Sequence, residues 1–196
     1  LLVELFVEEL PPKSLKKLGD EFAKTLSASL KAQGLASDHS AVTAYATPRR
    51  LAMHLSGVAA QGTDKAVTHK LMPVTVALDG SGAPTPALLK KLAAVGADAS
   101  VVPQLERKLD GKAEALFWST TVRGAMLAAG LQVAIDEALA KLPIPKVMSY
   151  QLGDGWTSVH FVRPAHGLVA LHGAEVVSVT ALRLTSGRNT QGHRFE

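Results

Sequence analysis

The sequence predicts an α+β protein, built mainly from antiparallel sheets with packed helices and divided into two subdomains. Three observations lead there. Segments alternating between apolar and polar residues recur at both ends of the chain, and three stretches, one of them short, carry apolar residues at helical spacing. Hairpin-like strand pairs also outnumber the strand-helix-strand alternation that builds a parallel sheet.

The opening stretch sets Val3, Leu5 and Val7 on one face and Glu4 and Glu8 on the other, the period of a half-exposed strand that Pro11-Pro12 ends. Leu15, Leu18, Phe22, Leu26 and Leu30 then recur every three or four residues, which predicts a helix of about five turns stopped by Gly34. Residues 42–46, and the run Leu51, Met53, Leu55, read as two further strands, so residues 1–60 form a strand-helix-strand-strand block. Residues 61–86 are rich in turn formers, including Asp79-Gly80-Ser81-Gly82, Pro84 and Pro86, and predict a hairpin or a long loop. A short helix through Leu88, Leu89, Leu92 and Val95 follows, then a strand over Ala113–Val122. Leu127, Leu131, Ala134, Ile135, Ala138 and Leu142 mark the next helix. Pro143-Ile144-Pro145 terminates it, because proline disfavours helix at the residue before it and lacks a donor. The last block, 146–196, holds strands near 159–162, 168–171 and 176–184, and the middle block spans 61–145. The subdomain division is expected within 61–86 or near Pro143.

Composition narrows the function. The 196 residues include 47% hydrophobic and 19% charged residues and no cysteine. That length supports a core without crosslinks. The missing cysteine removes disulfide frameworks, thiolate zinc sites and cysteine nucleophiles, and fits a reducing cytoplasm. A net charge of +4, from 21 Lys+Arg against 17 Asp+Glu, permits nucleic-acid contact without indicating it. No run of about 18 apolar residues predicts a membrane span. The first ten residues hold three glutamates and no basic residue, the reverse of a secretory leader. Both termini read as cut, as expected of a piece of a longer protein.

The charge chemistry shifts along the chain. Before Val147 there are 13 Lys and 4 Arg against 14 acids; from Val147 on there are 4 Arg, no Lys and 3 acids, with His160, His166, His172 and His193. Arginine without lysine suits contacts that need a planar fork. No glycine-rich phosphate loop, zinc helix, nucleophile elbow or EF-hand loop occurs. The carboxylate pairs Glu8-Glu9 and Asp136-Glu137 read as solvated faces, because neighbours on one element point in different directions.

Three constellations remain. Thr47-Pro48-Arg49-Arg50-Leu51 is a turn delivering two arginines onto a strand, where they are expected on opposite sides, one in a pocket and one in solvent; an edge-strand charge guard is the alternative. His160-Phe161-Val162-Arg163-Pro164-Ala165-His166 breaks a strand at proline and presents Arg163 and His166 at its end, for binding or for structural pairing. Ser186-Gly187-Arg188-Asn189-Thr190-Gln191-Gly192-His193-Arg194-Phe195 is a polar loop whose backbone can approach a phosphate.

Leu2-Val3-Glu4 with Glu8-Glu9-Leu10-Pro11-Pro12, Thr47-Pro48-Arg49-Arg50-Leu51, Leu142-Pro143-Ile144-Pro145-Lys146, Phe161-Val162-Arg163-Pro164-x-His166 and Gly192-His193-Arg194-Phe195 occur in this order in the beta subunit of the bacterial tetrameric glycyl-tRNA synthetase, which the chain resembles from end to end. The family's usual Met-Arg-Trp after Pro-Ile-Pro-Lys is Met148-Ser149-Tyr150 here, which weakens any role for an arginine at position 149. The resemblance implies the N-terminal portion of a longer, non-catalytic, tRNA-binding beta subunit, cytoplasmic, in an alpha2beta2 assembly. A separate alpha subunit would bind ATP with Mg and glycine, and this portion would hold no cofactor, metal or catalytic residue. Arg49, Arg50, Arg163, His166, Arg188, His193 and Arg194 are then the candidate contacts to tRNA(Gly), to alpha or to the rest of beta. A purely structural scaffold is the competing expectation. A hydrolase using His166 or His193 lacks a paired nucleophile or metal-ligand spacing.

Overall fold

The computed structural model describes residues 1–110 and 113–192. In chain order the first elements are β1 (Leu2–Val7), α1 (Pro12–Ala32), β2 (Val42–Thr47), β3 (Arg50–Leu55), β4 (Lys65–Pro73), α2 (Val74–Ala77) and α3 (Pro86–Ala94). A 3-10 turn (Ala99–Gln104), β5 (Glu106–Asp110), β6 (Ala113–Val122) and α4 (Leu127–Lys141) follow. The chain then forms β7 (Met148–Gln151), β8 (Ser158–Phe161), β9 (Ala165–His172), β10 (Glu175–Val176), β11 (Thr180–Ala181) and β12 (Leu184–Thr185). The class is α+β, and every strand ladder among the described residues is antiparallel.

Two compact units result: Leu1–Thr63 with the chain from Gly124 on, and Asp64–Arg123. The sequence blocks 61–145 and 146–196 are drawn differently, because α4 and everything after it share the first unit with β1.

The first unit is organised by a five-stranded sheet in the order β10-β9-β1-β3-β2. Alternation along β1 turns Val3, Leu5 and Val7 to one face, where Leu51, Met53 and Leu55 of β3 and Leu168 and Ala170 of β9 join them. Leu18, Phe22, Leu26 and Leu30 of α1, together with Leu131 and Ile135 of α4, complete that core. Helix α1 starts on Pro12, whose fixed φ suits the first turn. It ends as Gly34 adopts φ 74: Gly34 N–H donates to Lys31 O (2.9 Å) and Leu35 N–H to Leu30 O (3.0 Å), a Schellman stop that buries Leu35. Gly19 lets α1 approach β2, since a Cβ there would lie 2.6 Å from Ala46 Cβ.

The second unit is a sheet in the order β4-β6-β5 with α2 and α3, closed over Leu71, Ala77, Leu88, Leu92, Leu116 and Trp118. The hairpin or long loop expected over 61–86 instead contains a nine-residue strand, β4, paired with β6 from Lys65↔Val122 to Pro73↔Ala115. Its polar residues and terminal proline hid the alternation. The turn formers do act beyond it: Asp79 Oδ1 accepts from Ser81 N (2.9 Å), Ser81 Oγ (2.6 Å) and Ala83 N (2.9 Å).

At the C-terminal end, the strand expected over 176–184 is three short ones. Leu182 (φ 51) and Arg183 (φ 67) make a two-residue hairpin turn between β11 and β12. Positive φ at both central positions is the I′ geometry that glycine and asparagine normally provide, so the turn carries no residue-type signal.

Gly19→Ala should separate α1 from β2 and destabilise the protein by about 1–3 kcal/mol, read as a lowered denaturation midpoint. For Asp79, the bonds from the Ser81 side chain, then from the Ala83 and Ser81 amides, hold the carboxyl below its ordinary 3.8. The turn's contribution is therefore complete above pH 3.8 and fades as pH falls through the lowered native value, which an NMR titration of the Ser81 and Ala83 amides should follow.

Candidate functional site

Backbone hydrogen bonds fasten three of the sequence blocks together at one end of the five-stranded sheet. The turn between β2 and β3 has only Pro48 and Arg49 at its tip, as Thr47 pairs with Arg50. Its carbonyls hold the chain leaving β1: Val7 N–H donates to Arg49 O (2.9 Å) and Leu10 N–H to Pro48 O (2.6 Å). From the other side, Glu8 N–H donates to Pro164 O (2.8 Å). The proline that breaks the strand after Val162 thus presents its carbonyl to β1.

Glu4 and Phe6 lie on the sheet face opposite the core, with Phe6 in register with Arg50 and Gly167. Arg50 Nε sits 3.2 Å from Glu4 Oε2, with the Glu4 side chain 12% exposed. The segment after β12 closes this pair, as Thr190 Oγ1 donates to Glu4 Oε1 and an Arg50 Nη2 proton goes to Gln191 O. Next to it, Glu8 Oε1 lies 2.8 Å from His166 Nε2 and 3.8 Å from Arg49 Nη2. Both guanidiniums ride over the Phe6 ring, at 5.2 Å for Arg49 and 5.9 Å for Arg50, and the His166 ring is tilted against it at 6.2 Å. Such cation–π contacts contribute about 0.5–1 kcal/mol each where water is near. The Nε atoms of Arg49 and Arg50 are buried without an aligned acceptor.

This corrects the expectation that Arg49 and Arg50 point to opposite sides. Arg49 belongs to the turn rather than to the strand, so strand alternation does not apply to it. The solvated-face reading of Glu8 is also revised, since Glu8 is the shared partner of Arg49 and His166. Arg163 joins the same end of the sheet: its Nε donates to Glu9 O (3.0 Å) and its Nη1 to Val162 O (3.0 Å) and Met148 Sδ (2.8 Å). Arg188 lies elsewhere, with Nη2 donating to Ala174 O (3.3 Å) in the turn between β9 and β10. Arg163 and Arg188 therefore do not meet in one groove. His193 and Arg194 fall outside the described residues.

Sequence reasoning missed Glu4, Phe6 and Thr190 as members. Glu4 and Phe6 carried a usable signal, the two-residue spacing on one face of β1, but only the sheet order shows what stands opposite them. Among the described residues no group of three or more His, Asp or Glu is placed to hold a metal ion. No helix among them is long and apolar enough to cross a membrane.

Built this way, the site is a set of ionic and aromatic braces on a helix-backed sheet that fix the backbone at its end. Known proteins give it a family. The family model described as glycyl-tRNA synthetase beta subunit matches residues 1–196, and the chain belongs to that family. It is 72% identical over 196 residues to the glycine–tRNA ligase beta subunit of Leptothrix cholodnii, covering 100% of this chain and 28% of that protein. To the beta subunits of Acidovorax ebreus and a Janthinobacterium species it is 70% and 61% identical, over 100% of this chain and 27% and 28% of theirs. The chain thus spans a little over a quarter of the length of these relatives.

Glu4→Ala should leave the Arg50 guanidinium half-buried without its counter-charge. A loss of about 1–3 kcal/mol is expected in chemical denaturation, and Glu4→Ala with Thr190→Ala should cost less than the sum of the two single changes.

Proposed function

We propose that this chain is the N-terminal part of a non-catalytic, tRNA-binding beta subunit, which supports the ATP-dependent glycylation of tRNA(Gly) carried out by a separate alpha subunit in an alpha2beta2 assembly in the cytoplasm. The observation that carries this reading is the match of the whole chain to the beta-subunit family. The cluster at the sheet end supports the binding part of this reading, since it gathers the cations Arg49, Arg50 and Arg163 in one place. ATP with Mg would be held by alpha. Within the braced cluster, Arg49 is the arginine held most loosely by a carboxylate, at 3.8 Å from Glu8 with its side chain 30% exposed, and His166 is 44% exposed beside it.

A second reading, a scaffold that meets other protein without touching tRNA, draws on a specific observation. Arg50, Arg163 and Arg188 each direct guanidinium protons to carbonyls of this same chain. A guanidinium engaged in that way is a brace first and a phosphate ligand second.

Arg163→Ala in the full-length beta subunit, assembled with alpha, separates the two. The tRNA reading expects weaker tRNA affinity and lower kcat/KM per folded tetramer. The scaffold reading expects a lowered thermal midpoint with unchanged glycylation by the tetramers that remain. If three arginines each met one phosphate, log affinity should fall with log salt with a slope of about −2 to −3.

A further inference from the structure

Strand β2 is one edge of the five-stranded sheet and, among the described residues, is hydrogen-bonded to β3 alone. Its two sides follow from the ladder. Ser56 N–H donates to Ala41 O (3.0 Å), and Leu55 N–H turns the other way to Leu1 O (2.9 Å). Bonds are therefore exchanged at Thr43↔His54, Tyr45↔Ala52 and Thr47↔Arg50, while Val42, Ala44 and Ala46 direct their N–H and C=O groups away from β3. That open row is unguarded. The strand Val42-Thr43-Ala44-Tyr45-Ala46-Thr47 carries no charge, no proline and no register shift against β3, the devices that normally keep an edge from pairing. All of its residues but Ala46 are exposed. The arginines of the adjacent turn do not cover it, since Arg50 is held by Glu4 and Arg49 lies over Phe6.

Helix α1 borders the same edge. A groove of about 410 Å³ lies between α1 and β2, lined by Pro12, Leu15, Gly19, Ala44 and Ala46 and by the Lys16–Asp20 ion pair. Its small residues leave room for alternate side chains of an added strand, the part of strand addition that gives specificity while main-chain bonds give affinity.

The path of the chain points to the occupant. After β12, Gly187 N–H donates to Leu168 O of β9 (2.9 Å), Thr190 Oγ1 donates to Glu4 of β1, and Gln191 O accepts from Arg50 of β3. The segment thus takes its partners from β9, then β1, then β3, and β2 is the next strand in the sheet. Arg50 pairs with Thr47, so the segment arrives beside the C-terminal end of β2, and a strand started from there runs antiparallel to it. From β3 to the open side of β2 is two strand spacings, about 10 Å, within reach of chain that follows Glu196. This sequence spans a little over a quarter of its relatives' length, so ample chain is left to supply a strand.

We propose that the open edge of β2 seats a strand from the part of the beta subunit that follows Glu196, added antiparallel with alternate side chains in the α1 groove, so that the sheet has six strands in the whole subunit. The inference rests on the reading above only in taking this chain as the N-terminal part of a longer beta subunit.

The test is residue-resolved hydrogen exchange in full-length beta, alone at several dilutions and assembled with alpha. In beta alone the Val42, Ala44 and Ala46 amides should exchange at least about a hundredfold more slowly than solvent-open amides, as those of an internal strand do, at every dilution. Ala44→Pro removes one outward donor and leaves the β2–β3 bonds in place, so Val42 and Ala46 should lose protection while Thr43 and Tyr45 keep theirs. Fast exchange at Val42, Ala44 and Ala46 in wild-type beta, beside protected Thr43 and Tyr45, would overturn the inference. So would protection that appears only with alpha, which assigns the added strand to that subunit, or protection that fades on dilution, which assigns it to a second copy. Wild-type beta and alpha that together fail to glycylate tRNA(Gly) would count against the functional reading and not against this edge, because exchange is read without activity.

Discussion

Strand β1 has a hydrogen-bonded neighbour on each side, and the first unit depends on that placement. Leu2 pairs with His54 of β3 and with Leu171 of β9, so the first strand of the chain completes its backbone bonds only after more than a hundred further residues have been threaded. Val3, Leu5 and Val7 are at most 1% exposed, and their burial draws on α1 and on β9 together. A hairpin of β2 and β3 can form locally, whereas the β1–β9 ladder is a long-range closure. Its entropic cost grows only slowly with loop length, yet it delays the step that buries the core.

The same geometry explains where the charge goes. With β1 central, its outward residues Glu4 and Phe6 are flanked by β3 and β9, and the carboxylates lie beside Arg49 of the β2–β3 turn and Arg50 at the start of β3. Glu4 is met by Arg50 and Thr190, and Glu8 by Arg49 and His166. Exposed ion pairs contribute about 0–1 kcal/mol. The Glu4 pair is better shielded and shares its partners, so its members support one another beyond their separate worth. Three arginines, Arg49, Arg50 and Arg163, are thus fixed at the sheet end, while lysines such as Lys16 and Lys24 lie on the solvated face of α1.

Much of the fold was legible where one period dominates a segment. The stripe from Leu15 to Leu30, the stop at Gly34, the alternation of Val3, Leu5 and Val7 and the proline end of α4 are local signals set by steric and hydrophobic rules. Strands β4 and β5 were not legible, because β5 is exposed along its whole length and β4 carries lysines, a histidine and a proline. The β11–β12 turn escaped because Leu182 and Arg183 are not turn residues by type. Of the candidate site, Arg49, Arg50, Arg163 and His166 were recognisable from residue type beside turn-forming proline. Their convergence was not, since it follows from strand order, and strand order is a property of pairings far apart in sequence. Arg188 shared the composition of the group without sharing its location.

Gln61 bridges to Met126, and Gly62 N–H donates to Ala125 O at 2.8 Å, so the first unit's chain leaves and re-enters at a single point. A Cβ on Gly124 would lie 1.9 Å from Gly62 O, which shows how closely the two crossings lie against each other. Topologically, Asp64–Arg123 is an insertion into an otherwise continuous sheet-and-helix body. Both ends of the inserted segment thus meet at one stitch in the host, outside the ladders of β1 with β3 and β9, and closely spaced ends are the geometry at which chains tolerate domain insertion.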